Sequence, residues 1–252
     1  MRLQGKVAIV TGAGAGIGRG IARRLAREGA SVIIAERDAR SGESAAEEIR
    51  AAQGSAFFVQ TDVASEEQVR AMAEKTLDRY GKIDVLCNNA AVLLFREETR
   101  AHELSTETWD RTLAVNLRGY WLTSKYVIPT MLGRGGGSII HVASPTGFLG
   151  FPRLTAYSTS KGGVLGLMRA MAVDYAPNHI RVNAIVPGTI DTPMNALELS
   201  DPAARERYAD ITPARRLGTP EDLAGIAVFL ASDESDYCVG AIFTVDGGLT
   251  AV

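Results

Sequence analysis

Val7-Ala8-Ile9-Val10-Thr11-Gly12-Ala13-Gly14-Ala15-Gly16-Ile17-Gly18 decides how the rest of this chain is read. The apolar run at its start predicts a strand buried on both faces. A glycine-rich turn follows at once. Ile21, Ala22 and Leu25 then recur with the period of a helix, and Gly29 stands where a helix C-terminal cap requires it. Strand, glycine turn and helix in this order offer free N–H groups and the positive end of a helix dipole to a phosphate, and glycines let the backbone come close to it. A tight turn with no ligand has the same sequence, so the neighbouring segments must decide.

Downstream, residues 31–35 predict a second strand closed by Glu36, whose carboxylate can accept from the hydroxyls of an adenosine ribose. A helix is expected over 39–52, a strand over 55–60 leading to Asp62, and a helix to Tyr80 opened by Ser65 and Gln68 as a capping box. Residues 85–87 predict a strand that runs into Asn88-Asn89-Ala90-Ala91. A long helical segment from about 105 to 132 is expected to be bent or broken near Gly119 or Pro129. Gly135-Gly136-Gly137 reads as a turn, without the Lys-Ser/Thr of a P-loop, before a strand that ends at Ser144. The helix of Tyr157, a strand over 181–186 and Pro187-Gly188 come next. A less periodic stretch over 189–217 holds Pro193, Pro202 and Pro213; a helix capped by Thr219 and a strand over 241–245 complete the chain. Strict alternation of strand and helix implies an α/β fold, a single domain over 1–252 with a parallel sheet and helices on both faces.

The totals exclude several classes. The 252 residues are 46% hydrophobic and 22% charged, with a net charge of −2, which supplies no electrostatic footprint for nucleic acid or an anionic membrane. Cys87 and Cys238 are far apart and read as reduced thiols. No apolar run approaches transmembrane length and no signal-peptide pattern precedes the first strand, so a cytoplasmic location is expected. No His/Cys/Asp/Glu cluster has metal-ligand spacing, so no metal is expected; His102, His141 and His179 read as surface or satisfied core histidines rather than a triad.

Chemistry points to Tyr157-Ser158-Thr159-Ser160-Lys161. Tyrosine and lysine one turn apart share a helix face, and a nearby ammonium favours the phenolate, lowering the phenol's pKa. Ser144 closes the preceding strand. A hydroxyl at a strand end and a phenol at the start of the next helix can meet over one substrate oxygen, an arrangement suited to proton transfer on a carbonyl or alcohol. A Tyr–Lys pair alone arises easily by chance, and its surroundings carry the argument.

Thr11-Gly12-x-x-x-Gly16-Ile17-Gly18, Asn88-Asn89-Ala90, Asn116, Ser144, Tyr157-x-x-x-Lys161 and Pro187-Gly188, in this order and spacing over the whole chain, resemble the classical short-chain dehydrogenases/reductases. The resemblance implies a Rossmann-like, doubly wound sheet of about seven parallel strands that binds NAD or NADP. It implies that Gly12, Gly16, Ile17 and Gly18 shape the pyrophosphate turn, that Asp62 and Val63 contact adenine, and that Asn89, Ala90, Pro187, Gly188 and Thr192 lie along the cofactor. By the same resemblance Ser144 holds the carbonyl oxygen and Tyr157 exchanges the proton. Lys161 lowers the tyrosine pKa and binds the nicotinamide ribose, and Asn116 holds a relay water. One departure is Ala91, where the family usually has glycine.

The expected activity is therefore interconversion of a secondary alcohol, such as a sugar, a polyol or another small hydroxy compound, with its ketone. NAD is expected over NADP because Glu36 would repel a 2′-phosphate, with Arg37 beside it arguing the other way. Alternatives are an NADPH-dependent 3-oxoacyl-carrier-protein reductase and a non-catalytic dinucleotide sensor. Residues 189–217 fall where the family places a substrate lid. Met194, Ala196, Leu197, Leu93, Leu94, Phe95, Phe148, Phe151 and Leu154 are apolar pocket candidates, and Arg96 and Arg153 are candidates for an anionic substrate group. The resemblance and the apolar-leaning tail over 246–252 suggest a homotetramer.

Overall fold

A computed structural model describes residues 1–251; Val252, the last residue of the tail just named, lies outside the described residues. Seven parallel strands form one sheet in the order β3-β2-β1-β4-β5-β6-β7. They are β1 Val7–Thr11, β2 Ser31–Glu36, β3 Ser55–Gln60, β4 Val85–Asn88, β5 Gly137–Val142, β6 Ile180–Pro187 and β7 Ile242–Val245. Strand order reverses between β1 and β4, where Val10 lies level with Ile34 of β2 on one side and Cys87 of β4 on the other. That reversal opens a crevice at the C-terminal ends of the strands, the position in which doubly wound sheets bind ligands.

Alternate residues along each strand point to opposite faces, and the core accordingly splits in two. Val7 and Ile9 pack with Ile33, Leu86, Leu122 and Val164 on one face. Ala8 and Val10 pack with Ile21, Leu25, Ile34 and Leu223 on the other. The first face is covered by α3 Glu66–Tyr80, α5 Gly119–Arg134 and α6 Thr155–Tyr175, with α4 Thr106–Leu113 packed on α6; the second by α1 Gly16–Arg27, α2 Ala39–Ala51 and α9 Pro220–Ala231. The stretch over 189–217 carries two short helices, α7 Ala196–Leu199 and α8 Pro202–Ile211. Among the described residues no helix is long and apolar enough to cross a membrane.

Local sequence signals explain most boundaries. Gly29 has φ +96 and follows α1, a conformation that favours glycine. Asp38 and Ser105 accept the N–H groups of Ser41 and Thr108 at 2.7 and 3.1 Å, capping α2 and α4. The Ser65 cap is only half of the expected box. Its hydroxyl accepts from the Gln68 N–H at 3.4 Å, but the Gln68 side chain accepts from the Asp62 N–H at 2.8 Å, so it ties the helix to the end of β3 instead. The irregularity expected near Gly119 or Pro129 lies directly before Gly119. Helix runs through both residues, and the irregularity is a π-helical turn over Ala114–Arg118 between α4 and α5, with Asn116 inside it. Such a turn holds one residue more than an α turn and is frequent at functional sites.

Candidate active site

The crevice is a cleft of about 410 Å³. Much of its lining lies at or just beyond the C-terminal ends of the strands. Gly12 follows β1, Glu36 ends β2, Asp62 and Val63 follow β3, Asn89 and Ala90 follow β4, Ser144 follows β5, and Gly188 follows β6. Residues remote in sequence meet here because every strand of a parallel sheet ends on the same edge.

The glycine turn is packed too closely to accept other side chains. A Cβ on Gly12 would lie 2.8 Å from the Ala90 Cα, and Gly12 has φ +63. One on Gly16, at φ +53, would lie 3.3 Å from the Thr192 side chain, which closes over the turn from the β6 side. Gly18 shapes the turn from behind. It does not line the cleft; a Cβ there would meet the Gly12 carbonyl oxygen at 2.3 Å and the Asn89 amide at 2.5 Å, so its role is to let α1 seat against the turn from behind. Thr11, which the motif reading did not single out as a site residue, is the clamp. Its hydroxyl accepts from the N–H groups of Asn89 and Ala90 at 3.0 and 3.1 Å, and the Asn89 amide donates to the Thr11 and Gly12 carbonyls at 2.9 and 3.1 Å. The turn is thereby fastened to the end of β4.

Glu36 stands at the far end of the cleft beside Arg37. Its carboxylate accepts from the N–H groups of Gly14 at 3.2 Å, Arg37 at 2.8 Å and Asp38 at 3.1 Å. A carboxylate offers about four lone-pair sites, so one remains for a ribose hydroxyl. Ile17, Asp62, Val63, Asn89, Ala90, Pro187, Gly188 and Thr192 all line the same cleft, as does Ala91. A crevice that starts at an acidic strand end, crosses a turn with no room for a Cβ at Gly12 and reaches a buried phenol fits a dinucleotide.

At the other end, Ser144, Tyr157 and Lys161 line one wall. Tyr157 is 9% exposed and Lys161 is 2% exposed. The Lys161 ammonium donates to the Val142 carbonyl at 2.9 Å and lies 5.6 Å from the centre of the Tyr157 ring and 5.4 Å from that of Tyr120. Burial pushes the phenol of Tyr157 up to about 12, against a smaller opposing effect of the Ser144 hydroxyl. Burial also pushes Lys161 down to about 7. The expected lowering of the tyrosine by the lysine is thus absent from the free protein. Desolvation of the phenolate dominates, and burial of Lys161 works against the ammonium form that would oppose it.

Asn116 is committed to structure. Its side chain accepts from the Val92 N–H at 2.8 Å and donates to the Val92 carbonyl at 2.9 Å and to the Ser160 hydroxyl at 3.2 Å. It does not line the cleft. Ser160 in turn donates to the Tyr157 carbonyl at 2.7 Å, so Asn116 braces the loop after β4 and the first turn of α6 together.

Glu98 escaped the sequence reading. The N-cap of α6 is Leu154, whose side chain cannot accept a hydrogen bond. Glu98, 6% exposed, takes that place from the loop after β4, accepting from the Ala156 N–H at 3.2 Å and the Tyr157 N–H at 2.8 Å. Nothing local signals a cap so far along the chain. The only clue is that α6 lacks one of its own.

Of the apolar pocket candidates, Leu93, Phe95, Phe151, Leu154 and Met194 line the cleft; Leu94, Phe148, Ala196 and Leu197 do not. Arg96 is exposed, Arg153 turns to the Thr99 hydroxyl at 3.5 Å, and neither lines the cleft. His102 and His179 are at the surface. His141 is the fully buried core histidine expected but is only half satisfied: its Nδ1 lies 3.2 Å from the Asn88 amide nitrogen, and its Nε2 has no hydrogen-bond partner among the described residues. Among the described residues no group of three His, Cys, Asp or Glu side chains could hold a metal ion.

Comparison with known proteins shows the family and the fold. The family model described as Enoyl-(Acyl carrier protein) reductase matches residues 12–250. The chain is 38% identical to the 3-oxoacyl-[acyl-carrier-protein] reductase FabG of Thermotoga maritima, over 99% of both chains. It is 40% identical to the cis-4-hydroxycyclohexanecarboxylate dehydrogenase of Sinomonas cyclohexanicum, over 98% of this chain and 97% of the relative. The crystal structure of a gluconate 5-dehydrogenase from Burkholderia cenocepacia in complex with NADP and tartrate superposes with a TM-score of 0.94 at 35% identity, covering 100% of this chain and 97% of that one.

Proposed function

The chain belongs to the short-chain dehydrogenase/reductase family and is a nicotinamide-dinucleotide oxidoreductase acting on CH–OH groups, and on that premise we propose that it interconverts a small secondary alcohol and its ketone with NAD. The observation that carries the proposal is one cleft lined by Glu36, the Gly12–Gly16 turn, Ser144, Tyr157 and Lys161.

Bound there, the dinucleotide supplies the two-electron acceptor or donor for the carbinol carbon. Gly12, Gly16 and Ile17 would hold its pyrophosphate, Glu36 its adenosine ribose, Asp62 and Val63 its adenine. Asn89, Ala90, Pro187, Gly188 and Thr192 would flank the remainder. Ser144 donates a hydrogen bond to the substrate oxygen, and Tyr157 gives that oxygen a proton during ketone reduction. With the phenol pushed up to about 12, its proton is in place at neutral pH, which suits the reductive direction as the site stands. Oxidation requires the phenol to lose that proton first, so the rate with an alcohol rises with pH. Lys161 would hold the second ribose and, when protonated, favour the phenolate. The Asn116 side chain is occupied, so a relay water at this position would rest on main-chain groups of the π-helical turn.

NAD is preferred in this reading because the Glu36 carboxylate faces the position a 2′-phosphate would take. Arg37, also in the lining, and the NADP of the related gluconate enzyme support the second reading, a carrier-bound 3-ketoacyl reductase using NADPH. A sensor without turnover is the third. Residues 189–217 form the lid, and exposed apolar residues, Trp121 on α5 and Val173 on α6, support a homotetramer built on these helices. The deciding experiment offers sugars, polyols, hydroxy acids and secondary alcohols with NAD and NADP and follows absorbance of the reduced cofactor. Turnover only of carrier-bound ketoacyl groups with NADPH would replace the first reading with the second.

A further inference from the structure

The relatives named above act on dissimilar substrates, two of them carboxylates, and the cleft of this chain favours a different class. The substrate end is walled by Leu93, Phe95, Phe151, Leu154, Met194 and Leu199. Phe151 and Met194 stand at its rim, each 38% exposed although large and apolar. Exposed apolar side chains on opposed loops around a polar centre are the usual lining of a small-molecule site.

Charge separates this cleft from one made for an acid. Apart from Lys161 at the reacting centre and Arg37 at the dinucleotide end, no lining residue is a cation. The cations of the lid are turned elsewhere. Arg205 pairs with Asp191 at 2.5 Å, and Arg207 lies 5.8 Å from the centre of the Tyr208 ring and does not line the cleft. The charged lining residue the lid does contribute is Glu198 on α7. The Tyr208 hydroxyl donates to its Oε1 at 2.6 Å, which holds the carboxylate in place and leaves Oε2 without a hydrogen-bond partner among the described residues. An anionic substrate would meet a fixed like charge and no counter-charge, and such a juxtaposition rejects ligands strongly.

We propose that the substrate is a neutral, largely apolar secondary alcohol or ketone, and that Glu198 excludes hydroxy acids. The inference rests on the oxidoreductase reading of the same site. Glu198 is a specificity-determining residue here; the apolar wall supplies affinity, and any second polar group of the substrate is a hydrogen-bond donor toward Glu198 Oε2.

The test uses a pair matched in heavy-atom count and shape, 4-isopropylcyclohexanol and 4-hydroxycyclohexanecarboxylate, with gluconate as a third compound. Two readouts are taken: kcat/KM with NAD in the wild-type protein, and binding of the corresponding ketones to the Tyr157→Phe protein with NADH, followed by quenching of NADH fluorescence. The neutral member is expected to be favoured about tenfold or more in both, Glu198→Gln to narrow that gap by accepting the carboxylate better, and Glu198→Lys to reverse it. Glu198→Gln keeps an oxygen for the Tyr208 hydroxyl, so the fold is preserved. Equal or better use of either acid, loss of acid use in an Arg96→Ala/Arg153→Ala protein, or failure of the neutral ring to bind overturns the inference while leaving the oxidoreductase reading intact. Tight binding of the neutral ring without turnover of any alcohol or ketone upholds the cleft's selectivity and overturns the oxidoreductase reading instead.

Discussion

The carboxylate of Glu98 accepts the main-chain N–H of Tyr157 at 2.8 Å, so the residue that carries the phenol begins its helix on an acceptor from another loop. Burial raises the pKa of Glu98, and its two hydrogen bonds to α6 act against that. Glu98→Gln retains one acceptor and turns an NH₂ toward a donor; Glu98→Leu retains none. Loss of a cap of this kind costs about 0.5–2 kcal/mol and frees the first turn of the helix. Turnover is expected to fall about tenfold in the Gln protein and further in the Leu protein, with dinucleotide affinity changed less than about twofold. Steady-state kinetics beside an NADH fluorescence titration checks this. An equal loss in both quantities would make Glu98 a fold element only.

Tyr157→Phe removes one hydroxyl from a residue that is 9% exposed and leaves the ring in its packing. Folding and dinucleotide binding are expected to survive, and turnover to drop by about 10²–10⁴-fold, the usual contribution of general acid–base catalysis. A folded, dinucleotide-binding variant that turns over at the wild-type rate would falsify the assigned role. Lys161→Ala, by contrast, is expected to lose both turnover and affinity.

Glu36→Ala removes the carboxylate that faces the ribose and leaves Arg37 in the lining. The ratio of kcat/KM for NAD to that for NADP is expected to fall by about tenfold or more, since like-charge exclusion of the 2′-phosphate is lost. Unchanged preference in the variant, or a wild-type protein faster with NADP, removes Glu36 from the argument.

His141 sets an acid limit on the free protein. Burial, and secondarily the charge of Lys161, pushes it down to about 3 from 6.5. Folded His141 stays neutral while the unfolded chain takes up a proton below about 6.5, so the unfolded state binds more protons between the two values and stability falls as pH drops through that window. The shift corresponds to about 5 kcal/mol when the window has been fully crossed. His141→Met is expected to flatten the decline in urea-denaturation stability between pH 6.5 and 4; Asn88 keeps its contacts to Ser124 and the Tyr120 carbonyl. A variant with the wild-type slope would place the acid lability elsewhere.

The elements, their order and the residues at the strand ends were legible in the sequence because each depends on near neighbours. Four apolar residues at 7–10 make a buried strand, Gly29 ends a helix, and Tyr157 and Lys161 share a face wherever that helix lies. Parallel strands all end on one edge, so Gly12, Glu36, Asn89, Ser144 and Gly188 had to meet once the sheet was parallel. Only the tertiary structure decided what depends on segments remote in sequence. It put Glu98 at the start of α6 and fixed the Asn116 side chain to Val92 through the π-helical turn. It set Gly18 behind the turn rather than in the cleft, and chose Glu198 over Arg153 for the substrate end. It also reversed the expected electrostatics of Tyr157 and Lys161. Spacing predicts that an ammonium sits near a phenol, but desolvation depends on everything packed around the pair, and here burial moves both groups toward their neutral forms.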